Sequence, residues 1–97
     1  MKMVMVAYSE ATDSEVMEVL EHCAIKSYTK IPSVYGKGET SGTHMDDDIW
    51  PGKNNLLIVA CDDSAAKHII ACVTELRKVL GKEGVKAFVM PLEEMTQ

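Results

Sequence analysis

Asn55–Gly81, NLLIVACDDSAAKHIIACVTELRKVLG, decides how the rest of the chain is read. Its first seven residues, NLLIVAC, are apolar at odd and even positions alike, which predicts a strand buried on both faces. Asp62, Asp63 and Ser64 then offer N-cap chemistry. Ala66, Ile69, Ile70, Val73, Leu76 and Leu80 follow at helical spacing, and Gly81 ends the helix. The unit is a central strand feeding an amphipathic helix.

The same unit opens the chain. Lys2–Tyr8 reads as a strand with Met3, Met5 and Ala7 on one face and Val4, Val6 and Tyr8 on the other. Thr12, Asp13 or Ser14 can cap a helix that ends near Ile25. Its apolar stripe is Val16, Leu20, Cys23 and Ala24, and Glu15, Glu18, Glu21 and His22 fall toward the outside. Each unit precedes a further strand. Ser27–Tyr35 contains Pro32, which cannot donate to a ladder and so belongs on a sheet edge. Val85–Met90 is the last strand, closed by Pro91.

The order β-α-β-loop-β-α-β predicts an α+β, ferredoxin-like βαββαβ sandwich, with four antiparallel strands and two helices on one face. The first and third strands take the centre. Two helices cover one sheet face only, yet the central strands are apolar on both. A homo-oligomer packed sheet to sheet is the expected cover.

Composition narrows the function. Ninety-seven residues with 46% hydrophobic content make one domain, 1–97. The net charge of −5 argues against nucleic acid as the main partner. Leu56–Cys61 and the other apolar runs fall well short of the ~20 residues of a membrane span. The apolar start lacks a signal-peptide cleavage pattern, so a cytoplasmic location is expected. Cys23, Cys61 and Cys72 are odd in number and far apart, a pattern expected of reduced, buried thiols.

Function is sought in Gly36–Lys53, GKGETSGTHMDDDIWPGK, which is too long for a hairpin turn of about 2–5 residues. His44, Asp46 and Asp48, with Asp47, offer one imidazole and several carboxylate oxygens to a divalent cation; the competing reading is a solvated acidic turn. Trp50, before Pro51-Gly52, either clamps the loop to the body or stacks on a ligand. Gly36, Gly38 and Gly42 allow a backbone N–H nest for an anion, and Lys37, Lys53, Lys82 and Lys86 can bring positive charge to it. His22 and His68 read as surface or packing residues without a ligand-like neighbour at metal-site spacing. No nucleophile motif stands out, so the chain is not expected to be an enzyme.

Two stretches carry a family resemblance. Val34–Gly42, VYGKGETSG, is similar to the V-x-G-x-G-x-x-x-G with which nitrogen regulatory PII proteins enter their long T-loop. Lys86–Glu93, KAFVMPLE, resembles the G-K-I-F-V-x-P-V-E that closes their B-loop and forms their fourth strand. The chain thus resembles a divergent member of the PII and PII-like superfamily. The resemblance implies a trimer with its sheets inside, a ligand cleft between subunits and a signalling role toward a partner protein, such as a transporter or enzyme, through the loop. It sets Gly36 and Gly38 at the T-loop entrance and Lys86 as the lysine that approaches nucleotide phosphates.

Departures from the family pattern bear on the ligand. Glu39-Thr40-Ser41 replaces the family's R-Q-K, no E-L-Y-R-G follows, the B-loop shrinks to Gly81–Val85, and the arginine-bearing C-terminal segment is missing. The expected ligand set is Gly36, Lys37, Gly38, Trp50, Lys82 and Lys86, with an adenine nucleotide as the candidate ligand. The alternative is a divalent-metal protein akin to the CutA proteins, using His44, Asp46 and Asp48.

Overall fold

The structure is a computed structural model and describes residues 1–23, 25–37, 52–81 and 84–96. Four strands and two helices follow the expected order: β1 (Lys2–Ser9), α1 (Asp13–Glu21), β2 (Thr29–Tyr35), β3 (Lys53–Cys61), α2 (Asp63–Leu80) and β4 (Val85–Pro91). A short 3-10 turn, Glu10–Thr12, leads into α1. The sheet order is β2-β3-β1-β4, and every neighbouring pair is antiparallel. This is the ferredoxin-like sandwich, with the two most apolar strands in the centre.

The register fixes which residues share a face. Val4 lies opposite Val59 and Val6 opposite Leu57, and on the other side of β1 Val6 faces Ala87. Val4, Val6, Leu57 and Val59 turn toward the helices and are buried. Val16 and Leu20 of α1, with Ala66, Ile69, Val73 and Leu76 of α2, close over them. Ile70 and Leu80, expected in that stripe, are only partly covered, because they sit at its margins. Met3, Met5, Ala7, Leu56, Ile58 and Phe88 alternate onto the opposite face.

Pro32 sits on an edge strand, as its missing donor requires. The β2–β3 register shifts between Ile31 and Val34, and Ser33 in that bulge adopts φ 56°. Asp62 caps α2 by accepting from the Ala65 N–H at 2.7 Å. Gly81, with φ 86°, takes the left-handed turn that ends α2, where a side chain would be strained. At α1 none of the expected residues caps through its side chain: Thr12 occupies the N-cap position without such a bond, and Asp13 is drawn elsewhere.

The cysteines depart from expectation. Cys23 and Cys72 form a disulfide with Cα atoms 6.4 Å apart, and only Cys61 is a free thiol. The bridge spans 49 positions of sequence. Its partners meet because α1 and α2 pack side by side on one sheet face, a proximity that cysteine spacing alone does not encode.

Candidate functional site

The loop begins and ends at one end of the sheet. β2 runs out at Tyr35, opposite Lys53 at the start of β3, and the Gly36 N–H donates to the Gly52 carbonyl at 3.2 Å. That bond closes the neck of the segment between them. Gly36 is packed close: a Cβ there would collide with Asn54 Nδ2, so a larger residue must displace that side chain. Lys37 and Lys53 are exposed beside the neck.

Lys86 lies at the same end but on the far edge. It pairs with Ala7, which pairs with Leu56, which pairs with Ile31, so one row runs from β4 to β2 across the sheet. Three strand spacings put Lys86 and the β2 edge roughly 14 Å apart. Alternation puts Lys86 on the face away from the helices, beside Phe88 and Met5, and leaves it exposed. Gly38, His44, Asp46, Asp48, Trp50 and Lys82 lie outside the described residues.

A polar network that sequence reasoning missed holds the loop root. Asp13 Oδ1 accepts from Tyr8 OH at 2.5 Å, Lys30 Nζ at 2.9 Å and Asn55 Nδ2 at 3.0 Å. Asn55 Oδ1 in turn accepts from the Ser33 N–H at 3.3 Å, and Ser33 Oγ donates to Glu10 Oε2 at 2.9 Å. The first helical residue, the end of β1, the start of β3 and the β2 bulge are thereby tied together. Tyr8 is 1% exposed, and its hydroxyl must find a partner or lose its desolvation cost uncompensated. Burial and the Asp13 bond push its pKa up to about 12. The same bond, then that from Lys30, holds the Asp13 carboxyl below the usual range, while Asp13 raises the Lys30 ammonium. The signal was present in sequence as polar residues, Tyr8 and Asn55, at inward positions of central strands.

At the opposite end of the sheet lies an open cleft of about 450 Å³. Lys26 and Ser27 border it on one side, and Cys61, Asp62, Ser64 and His68 on the other. Burial, then the neighbouring Asp62 charge, raises the Cys61 thiol pKa. Next to the cleft, one donor atom each from Cys23, His68 and Cys72 falls within 4.8 Å of the others. His68 therefore does have a ligand-like neighbour: Cys72 stands four residues on, one helical turn away. Among the described residues, no helix is long and apolar enough to cross a membrane.

Comparison with known proteins agrees with this architecture. No curated protein matches the sequence. A crystal structure from Thermus thermophilus, described as a PII-like signaling protein, superposes with a TM-score of 0.63 at 21% identity, covering 92% of this chain and 83% of that one. CPII from Thiomonas intermedia K12, a nitrogen regulatory PII-like protein solved with ADP, AMP and bicarbonate, gives 0.70 at 14% identity, covering 99% and 93%. A second CPII structure, with ADP, AMP and acetate, gives 0.65 at 18%, covering 91% and 81%. Similarity at these identities establishes a shared fold. The family model for nitrogen regulatory protein P-II matches residues 1–97. With that match over the whole sequence, this chain belongs to the nitrogen regulatory protein P-II family.

Proposed function

We propose that the protein is a trimeric PII-like regulator that binds a small anionic ligand between subunits and reports occupancy through residues 36–53. The observation that carries this reading is the sheet face turned away from the helices. It is apolar, with Phe88 47% and Met90 40% exposed in a single copy, and Lys86 stands on it at the loop end. A second and third copy packed on that face bury the apolar residues and bring neighbouring loop roots to a shared boundary.

In this reading Gly36 and Gly38 let the backbone at the loop entrance approach the anion, Lys37, Lys82 and Lys86 supply charge, and Trp50 packs on the ligand or the subunit body. An adenine nucleotide is the favoured ligand, since CPII is solved with ADP and AMP. The role is regulatory: differential affinity for two arrangements of the loop does the work, and a partner protein, such as a transporter or enzyme, reads the outcome.

Light scattering at micromolar concentration, followed by calorimetry against ATP, ADP and AMP with and without divalent metal, tests the proposal. Expected are a trimer and nucleotide binding that Lys86→Ala abolishes. A stable monomer, or no heat with any nucleotide, overturns it. A metal-induced thermal shift lost in His44→Ala but kept in Lys86→Ala would replace it with metal handling in the loop.

A further inference from the structure

We infer that Cys23, His68 and Cys72, when the disulfide is reduced, form a zinc-class metal site on the helical layer, far from the nucleotide boundary. Three observations converge on it. The two sulfurs and one imidazole nitrogen lie within 4.8 Å of one another. A tetrahedral zinc ion with bonds of about 2.3 Å to sulfur and 2.0–2.1 Å to nitrogen holds its ligand atoms roughly 3.5–3.8 Å apart, so small rotamer changes suffice once the S–S bond is broken. His68 and Cys72 share one face of α2 at i and i+4, and Cys23 is fixed against them by the turn after α1, where its N–H donates to the Leu20 carbonyl at 2.9 Å.

The third observation is access. Both cysteines are half-buried, shielded enough to be ordered yet reachable by a reductant, and His68 is exposed and lines the cleft. Three protein ligands leave a fourth zinc position open, and the cleft lets water occupy it. Two thiolates with one imidazole are a soft donor set that selects zinc over magnesium or calcium.

Metal binding and the disulfide exclude each other, because zinc needs thiolates and a disulfide sulfur has given up that charge to the S–S bond. A dithiol reductant gives its two sulfur-borne electrons and two protons to the Cys23–Cys72 bond; the reductant leaves as a disulfide and the protein as two thiols. Zinc then displaces a proton from each thiol to solvent and binds neutral His68. In a reducing compartment the chain is thus metal-competent. Oxidation by a small-molecule disulfide, with the electrons passing to that disulfide, expels the ion. The site is independent of the nucleotide reading and stands or falls by itself.

The test is an anaerobic titration of the reduced full chain with zinc against a chromophoric chelator, and a parallel titration with cobalt. Expected are one equivalent of metal per chain and thiolate-to-cobalt charge-transfer bands. Oxidised protein should show neither. His68→Gln, on an exposed position that leaves folding intact, should weaken zinc by at least roughly ten-fold, the loss that outer-shell changes alone can cause. Cys72→Ser should abolish the cobalt bands, whereas Cys61→Ser and His44→Ala should leave them unchanged. Reduced protein that is folded by circular dichroism but binds no zinc overturns the inference. So does binding that survives both His68→Gln and Cys72→Ser.

Discussion

The sheet has two apolar faces, and they differ in who covers them. On one, Val4, Val6 and Leu57 are 0% exposed beneath α1 and α2. On the other, the same strands present Met3, Met5, Ala7 and Ile58, and β4 adds Phe88 and Met90, with no helix above them among the described residues. The chain completes its first face by itself; the second is the face that the proposed trimer would cover. On the proposed reading, folding and assembly would be divided between alternate residues of the same strands.

The sharpest test of that division compares neighbours on β3. Leu57→Ala should cost about 2–5 kcal/mol in urea unfolding, because it empties a closed core. Ile58→Ala, one residue on, should cost far less under conditions that keep the chain monomeric and should instead weaken self-association in sedimentation. Equal losses at the two positions would erase the distinction between the faces.

Reducing the Cys23–Cys72 bridge probes how firmly the helical cover is held. The closed segment is long, so chain entropy predicts a loss of about 2–4 kcal/mol, seen as a lower denaturant midpoint. Association through the open face should persist in the reduced chain. Loss of assembly on reduction would mean that the two faces are coupled.

A smaller effect separates Tyr8 from Ala7. Tyr8→Phe removes the bond to Asp13 and should cost about 0.5–1.5 kcal/mol, whereas Ala7→Ser on the open face should leave monomer stability nearly unchanged.

The pH dependence sharpens the same contrast. Tyr8 has its pKa raised to about 12 in the fold, so its contribution is complete below the ordinary value of 10 and fades as pH rises from there toward 12. Asp13 is lowered, so its contribution is present above the ordinary carboxylate value and lost as pH falls below it. Unfolding curves of Asp13→Asn should therefore have a flatter acid limb, and those of Tyr8→Phe a flatter alkaline limb. Unchanged limbs in both variants would remove the network from the helix-covered face's account.

Much of this was legible in order and period. The unbroken apolarity of Asn55–Cys61 marked a central strand, Pro32 marked an edge, and Asp62 and Gly81 bounded α2, because each depends on local backbone chemistry. What stayed hidden depends on packing between distant segments. Asp13 reads locally as a helix cap, and only the juxtaposition of β1, β2 and β3 makes it the acceptor for Tyr8, Lys30 and Asn55. Cys23 and Cys72 read as isolated thiols until α1 and α2 are laid side by side. The i, i+4 spacing of His68 and Cys72 was overlooked in the sequence, where His68 read as a surface or packing residue. Of the candidate ligand residues, Gly36, Lys37 and Lys86 fall at one end of the sheet, on opposite edges.

The hydrogen bond between Gly36 and Gly52 brings the entry and the exit of the loop together at one point of the scaffold. Tyr35 opposite Lys53 and the tied bulge at Ser33 form the described part of that entrance, anchored in the sheet. A change confined to residues 38 to 51 leaves in place the residues that pair at the neck. In the proposed regulatory reading, the insert is the part that a partner protein would read.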